Sequence, residues 1–137
     1  MIPLRILLIE DSELDAGLIL RQLFEAGYET ISERVENADQ LAEVLDKSWD
    51  VVIADFRLPD FNAIEALKIV QEAGIDTPFI IVSGAIGEET AVALMKSGAR
   101  DYIMKDNLSR LAPVVERKLI EAEIRHSQKK AHEALLE

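Results

Sequence analysis

The 137-residue sequence contains no cysteine. Disulfide bonds, thiolate metal ligands and a cysteine nucleophile are therefore excluded, and this composition fits a reducing cytoplasm. Long apolar runs are also missing, and the first residues, MIPLRI, lack the basic flank and the cleavage site of a secretory signal. We therefore expect a cytoplasmic protein without a membrane segment.

Basic residues are scarce, since 15 Lys and Arg stand against 26 Asp and Glu, for a net charge of −11. Because this charge repels phosphate backbones, we expect protein partners and no direct nucleic-acid binding. Glycine and proline are few as well, and they mark the ends of elements. Helices are predicted to end at Gly27, Gly74 and Gly98, and Pro78 stands just before a strand.

Five short apolar runs are present, and each predicts a β-strand: residues 4–9, 31–35, 51–54, 79–82 and 102–104. The segments between them have helical spacing, the fourth of them at Ala91, Leu94, Met95 and Gly98. This alternation predicts an α/β fold, a doubly wound (βα)5 three-layer sandwich around a parallel sheet. Five strands favour the flavodoxin-like order 2-1-3-4-5, whose ligand site lies at the carboxyl ends of strands 1 and 3.

Polar residues stand where four of these strands end: Glu10, Asp11, Asp55, Ser83, Gly84 and Lys105. The three carboxylates repel one another and need a cation, and hard oxygen ligands without His or Cys suit Mg²⁺. A carboxylate such as Asp55 can attack phosphorus and give an acyl phosphate. Lys105 and Ser83 would then grip the phosphoryl oxygens. Gly84 would add a backbone N–H and leave space for the ligand.

Each of these residues also has an ordinary interpretation when taken alone. Asp11 would be a helix N-cap, Ser83 a loop hydroxyl, Lys105 a solvated charge and Asp55 a turn former. Their joint position at one edge of the predicted sheet favours a phosphoacceptor site over four unrelated roles.

Residues 4–123 resemble the receiver domain of two-component response regulators. The segments that carry the resemblance are residues 6–12 (ILLIEDS), 50–60 (DVVIADFRLPD), 78–84 (PFIIVSG) and 98–105 (GARDYIMK). A looser similarity, in residues 83–90 (SGAIGEET) and 105–111 (KDNLSRL), is to receivers placed ahead of sensor, kinase or cyclic-dinucleotide output modules.

The resemblance implies that Asp55 is phosphorylated by a histidine kinase or a histidine phosphotransfer protein. It implies a Mg²⁺ held by Asp11 and Asp55, by Glu10 directly or through water, and by the backbone carbonyl of Arg57. Ser83 and Tyr102 would form a switch that reshapes the face of the fourth helix, strand 5 and the last helix. A downstream effector or a fused output domain would respond to that change.

Two positions depart from the family's pattern. Asp106 replaces the proline that usually follows the strand-5 lysine, and we expect no cis peptide there because a non-proline cis bond costs about 3 kcal/mol. Asn62 and Ala63 stand where a glycine is frequent after the acceptor, so the family's loop shape does not carry over to this segment.

The last helix is predicted to run without a stop signal to residue 137, beyond a receiver domain at residues 1–123. The extension at residues 124–137 is either a dimerising stalk or, as we favour, a linker to a module that the chain lacks. If phosphorylation makes a homodimer, the extension or the face of the fourth helix, strand 5 and the last helix is the predicted contact. Removing residues 124–137 should then weaken association. We interpret His126 and His132 as surface residues.

Three rival functions fit the sequence less well. A phosphohydrolase of the haloacid-dehalogenase type needs a second aspartate two residues after the nucleophile, where Arg57 stands. A flavodoxin-like cofactor site needs a phosphate-binding loop after strand 1, and the acids of residues 10–15 would repel a phosphate there. A degenerate receiver, acting only as a constitutive interaction module, has no reason to keep mutually repelling carboxylates.

Overall fold

The computed structural model describes residues 1–56, 58, 62–84, 92, 93, 96 and 101–136. Its elements follow the predicted alternation: β1 (Ile2–Ile9), α1 (Glu13–Glu25), β2 (Tyr28–Val35), α2 (Ala38–Val44), β3 (Val51–Ala54), α3 (Ala63–Glu72), β4 (Phe79–Ser83), β5 (Asp101–Met104), a 3-10 helix (Lys105–Arg110) and α4 (Leu111–Leu136). The four residues that mark the fourth predicted helix lie outside the described residues, so the C-terminal helix is numbered α4 here.

The strands form one parallel sheet in the order β2-β1-β3-β4-β5, which confirms the predicted topology. Ile9 pairs with Ala54 and Ser83 pairs with Met104. Strands β1 and β3 therefore end side by side, and β4 and β5 end together next to them. This register collects the residues that follow the strands at one edge of the sheet, which we call the carboxyl edge.

Both faces of the sheet are buried, because alternate residues of the strands pack into two separate apolar cores. One core takes Leu7, Ile9, Val52 and Ile81 together with the inner sides of α2 and α3. The other takes their neighbours, such as Leu8 and Ile53, with α1 and α4. Each fully buried aliphatic side chain stabilises the fold by about 1.5–3 kcal/mol, so the strand ends are held on a rigid frame.

Strand β2 begins at Tyr28, three residues before the predicted start. The difference arises because β2 is an edge strand that carries polar residues on both of its faces. Residues 28–30 therefore do not form an apolar run. The predicted ends of α1 and α3 are confirmed. Gly27 and Gly74 follow these helices with φ values of 100° and 76°, a conformation that glycine adopts without strain.

The segments that flank the carboxyl edge also follow local sequence signals. Asn62 caps α3 by accepting the Glu65 N–H at 3.0 Å, which gives a physical role to the residue that departs from the family's glycine. No cis peptide occurs in the described residues, as expected for Asp106. Among the helices of the described part of the chain, none combines the length and the apolarity needed to cross a membrane.

Candidate functional site at the carboxyl edge

The sheet carries Glu10 and Asp55 to adjacent positions. Each residue follows directly on a strand and continues its hydrogen bonding, since the Asp55 N–H donates to Ile9 O at 2.8 Å and the Glu10 N–H donates to Val35 O at 3.0 Å. One carboxylate oxygen from each of Glu10, Asp11 and Asp55 lies within 4.8 Å of the other two. The predicted convergence of these three acids is therefore observed.

Glu10 is the most buried of the three acids, with 1% of its surface exposed. The pKa of Glu10 is raised from 4.5 to about 7, mainly because the residue is buried. The negative charge of Asp55 also raises this pKa, whereas the Ser12 N–H and Lys105 lower it. Oε1 of Glu10 accepts the Ser12 N–H at 3.0 Å. Oε2 receives no hydrogen bond of good geometry from the described residues.

Lys105, the first residue after β5, is surrounded by carboxylates. Its Nζ atom lies 2.8 Å from Asp15 Oδ2, 2.9 Å from Asp55 Oδ2 and 3.1 Å from Glu10 Oε2. Partial burial alone would lower the pKa of Lys105, but the hydrogen bonds to Asp15 and Asp55 outweigh this and raise the pKa above its ordinary value. The ammonium therefore stays charged and offsets only part of the negative charge around it.

The three clustered acids fit a metal ion. They offer oxygen atoms of the kind that hard divalent cations prefer, and they lie close enough together for one ion to reach all three. Among the described residues, the buried Oε2 of Glu10 is contacted only by the Lys105 ammonium, at 3.1 Å and without good hydrogen-bond geometry, and so has a coordination position to offer. A cation would also favour the ionised form of Glu10, which burial disfavours.

Three further predicted site residues, Ser83, Gly84 and Tyr102, lie at or near the same edge. Ser83 is the last residue of β4 and is buried. Gly84 follows it, and a β-carbon at this position would meet only Lys105 Cδ, at 3.9 Å, among the described atoms. Tyr102 lies on β5, half-buried against the core shared with α2 and α3. Arg57, whose carbonyl was predicted as a metal ligand, lies outside the described residues.

The ordinary interpretations of single residues fail where the structure describes them. The N-cap of α1 is Ser12, whose hydroxyl accepts the Asp15 N–H at 3.2 Å, and not Asp11. Ser83 belongs to a strand and is buried rather than part of an exposed loop. The side chain of Lys105 is only 22% exposed and contacts three acids, so it is not a solvated charge.

Asp15 is a site residue that the sequence analysis did not predict. It lies in the first turn of α1, and its carboxylate makes the shortest of the three contacts to Lys105. A signal was present, because Asp15 stands four residues before the buried Ile19 and therefore near the inner face of the helix. Its partner, however, is 90 residues away in the chain.

Comparison with known proteins agrees with this geometry. The family model described as "Response regulator receiver domain" matches residues 6–116. The chain is 32% identical over 120 residues to the cell cycle transcriptional regulator CtrA of Caulobacter vibrioides. It is 31% identical over 127 residues to protein-glutamate methylesterase/protein-glutamine glutaminase 2 of the same species. These matches cover 83% and 90% of this chain but 51% and 36% of the two relatives, so the chain spans about half or less of their length.

Solved structures show the same likeness. The fold matches a CheY-like response regulator receiver domain protein from Methanospirillum hungatei with a TM-score of 0.76 at 27% identity, over 88% of this chain and 97% of that one. It matches NtrX from Brucella abortus with a TM-score of 0.81 at 27% identity, over 94% of this chain and 30% of that one. With its acidic cluster and lysine arranged as a phosphoacceptor site requires, the chain belongs to the response regulator receiver domain family.

Proposed function

We propose that Asp55 accepts a phosphoryl group from the phosphohistidine of a histidine kinase or histidine phosphotransfer protein, in a reaction that requires Mg²⁺. The observation that supports this most directly is the position of Asp55 Oδ2, 2.9 Å from the ammonium of Lys105 and beside the two acids Glu10 and Asp11. A carboxylate nucleophile and a fixed cation are thus held together at the end of a buried strand.

The transfer exchanges one bond to phosphorus for another. A carboxylate oxygen of Asp55 bonds to the phosphorus atom, the bond from phosphorus to the donor's histidine nitrogen breaks, and its electron pair stays on the imidazole. The protein's contribution is positioning and charge stabilisation, because such transition states spread negative charge over the phosphoryl oxygens. Lys105, Ser83 and the backbone N–H of Gly84 would bind those oxygens.

Glu10, Asp11 and Asp55 would hold the metal, together with the Arg57 carbonyl. When bound, Mg²⁺ neutralises the acids and the incoming phosphoryl oxygens, so that one anion can approach another. Glu10, whose pKa burial raises to about 7, would release its proton to solvent when such an ion binds.

We further propose that Ser83 and Tyr102 convert phosphorylation into a change of surface. The buried hydroxyl of Ser83, at the end of β4, would move toward the phosphoryl group, and Tyr102 on the neighbouring strand would turn inward behind it. The altered face of β5 and α4 would then be recognised by a downstream effector, a fused output domain or a second copy of the chain.

A comparison of two aspartates tests the proposal. Asp50 and Asp55 flank the four-residue strand β3, Asp50 being exposed at its start and Asp55 buried at its end. Wild type, Asp55→Asn and Asp50→Asn would be incubated with Mg²⁺ and acetyl phosphate, and intact mass would report the phosphoryl group. Titration with beryllofluoride, followed by NMR, would report binding at the acceptor without any transfer.

We expect Mg²⁺-dependent modification and beryllofluoride binding in wild type and in Asp50→Asn, and neither in Asp55→Asn. If wild type bound no beryllofluoride in the presence of Mg²⁺, the phosphoacceptor function would be refuted and the degenerate receiver favoured. If modification persisted in Asp55→Asn, the acceptor would have been assigned to the wrong residue.

A further inference from the structure

Lys105 is shared among three carboxylates, and one of them does not belong to the metal cluster. Glu10 and Asp55 contact Lys105 and also contribute to the group of acids that can hold an ion. Asp15 contacts Lys105 at 2.8 Å and lies outside that group among the described residues. Its carboxylate is therefore the one lysine partner that has no second task at the acceptor site.

The first turn of α1 holds Asp15 in place. Its N–H donates to the hydroxyl of Ser12, and the Ser12 N–H donates in turn to the buried Glu10. The segment that supplies the metal acids is thus tied directly to the turn that presents Asp15. A carboxylate at this position is also favoured by the positive end of the helix dipole.

Phosphorylation would change two of the three partners of Lys105, because the phosphoryl oxygens would take the place of the Asp55 carboxylate. The oxygen of Asp55 that takes the phosphoryl group loses its negative charge, and Glu10 would turn to the cation. A long lysine side chain with about a fifth of its surface exposed has several rotamers available, so its new position depends on the partner that does not change. That partner is Asp15, which would hold neither the metal nor the phosphoryl group.

From this geometry we infer that Asp15 is a positioning residue, which holds the Lys105 ammonium against the acceptor site while the metal ion and the phosphoryl group occupy Glu10 and Asp55. This inference rests on the phosphoacceptor function proposed above and adds a fourth acid to it. Asp15 touches neither the phosphoryl group nor the metal and acts through the lysine.

The test compares three substitutions in the first turn of α1. Asp15→Asn removes the charge but keeps the size and the backbone N–H that donates to Ser12. Asp15→Glu keeps the charge. Glu13→Gln is the matched control, because Glu13 lies in the same turn, is exposed, and is not one of the three carboxylates that contact Lys105.

The saturating rate of phosphorylation by acetyl phosphate, measured at saturating Mg²⁺, is expected to fall roughly tenfold in Asp15→Asn, because misplaced catalytic groups cost up to about a hundredfold. Asp15→Glu should restore part of the rate and Glu13→Gln should leave it within twofold. A general electrostatic effect would instead raise this rate in Asp15→Asn, since the loss of a negative charge would favour the approach of an anionic donor.

A second readout does not depend on turnover. In protein labelled with ¹⁵N-lysine, the ammonium signal of Lys105 is assigned by its absence in Lys105→Arg. With Mg²⁺ and beryllofluoride bound, we expect this signal to be sharp in wild type and broadened by exchange in Asp15→Asn. A purely structural role would instead lower the urea midpoint and leave the signal sharp.

An unchanged or faster saturating rate in Asp15→Asn, with a sharp Lys105 signal, would overturn the inference and leave the phosphoacceptor function intact. A wild type that neither accepts phosphoryl groups nor binds beryllofluoride would overturn both. The two failures are therefore distinguishable.

Discussion

The two edges of the sheet differ in how far their charged residues are buried and in how these residues are paired. The amino edge, where β1, β3 and β4 begin, carries a cavity of about 510 Å³ whose lining includes Trp49, Asp50, Asp76, His126 and Lys130. The carboxyl edge has buried acids and a lysine in contact with them. The cavity thus lies at the opposite edge of the sheet from the acid cluster and Lys105.

Acids at the amino edge are exposed and have ordinary partners. Asp50 accepts the Arg5 N–H at 2.8 Å, and Asp76 contacts Arg125 and His126. At the carboxyl edge, by contrast, three carboxylates share one ammonium. Buried charge that is not fully compensated is costly, and it is commonly found at functional sites. In this protein the candidate site is therefore located by its charge and burial, and not by the size of a cavity.

The largest effect should come from removing the only ammonium that contacts the acid cluster in the described structure. We expect Lys105→Met to lower the rate of phosphorylation by acetyl phosphate roughly 10²–10³-fold, because the developing charge on the phosphoryl group loses its fixed cation. Lys130→Met, at the amino edge, is the control and should change the rate less than twofold. Equal effects of the two substitutions would show that the two edges do not differ in their contribution to phosphorylation.

The next largest effect is a change of the unfolding free energy with pH, and it comes from Glu10. The folded protein raises the pKa of Glu10 from 4.5 to about 7, so the folded state holds this proton more tightly than the unfolded chain does. The resulting stabilisation is complete below pH 4.5 and is lost as pH rises through 7. Against Glu10→Gln, metal-free wild type should therefore lose at most about 3 kcal/mol of unfolding free energy between pH 4 and pH 8.

Urea unfolding in the presence of a chelator measures this difference. Trp49, the only tryptophan, is buried at the amino edge and reports global unfolding at a distance from the substituted residue. Asp106→Asn, an exposed acid beside Lys105, serves as the control and should run parallel to wild type. A Glu10→Gln protein whose stability keeps a constant offset from wild type across this pH range would contradict the assigned pKa.

Substituting Trp49 at the amino edge should lower the free energy of unfolding by a smaller amount. The Trp49 indole N–H donates to Val44 O at 2.9 Å, and the guanidinium of Arg5 lies 5.7 Å from the ring centroid. Trp49→Phe loses this hydrogen bond and some packing, so we expect about 1–2 kcal/mol of destabilisation by circular dichroism in urea. Phosphorylation should stay within twofold of wild type. A parallel loss of activity would mean that the two edges are coupled.

The carboxyl edge was predictable because the signals that define it are local in sequence. Three strands are nearly continuous apolar runs, so their last residues can be located, and parallel strands place those ends together. Glu10 and Asp55 could be assigned to one site on this basis alone. The predicted topology and the convergence of the three acids are both observed.

What escaped prediction depends on contacts between distant residues or on two-sided polar strands. Asp15 gains its role from a lysine 90 residues later, and nothing in its own helix identifies that partner. The start of β2 at Tyr28 has no apolar run because the strand lies at the sheet's edge. The choice of Ser12 over Asp11 as the N-cap depends on where α1 begins, which side-chain preference does not decide.

The smallest expected effect lies where α4 passes the amino edge. Arg125 Nη2 is 3.4 Å from Asp76 Oδ1, and the His126 ring contacts both the carboxylate and the carbonyl of Asp76. These contacts lie just beyond residue 123, the predicted end of the receiver domain. If they anchor the extension, the first turn after residue 123 behaves as part of the folded domain.

Asp76→Asn tests this anchoring. Exposed ion pairs contribute less than about 1 kcal/mol, so amide hydrogen exchange in residues 124–130 should speed up by no more than about fivefold. Glu25→Gln, which breaks the exposed pair of Arg21 and Glu25 on α1, is the matched control and should leave these amides unchanged. Exchange at residues 124–130 that is already unprotected in wild type would show that the amino edge does not hold the extension. Faster exchange in Asp76→Asn, with phosphorylation of Asp55 unchanged, would make the amino edge a mechanical anchor and leave the chemistry to the carboxyl edge.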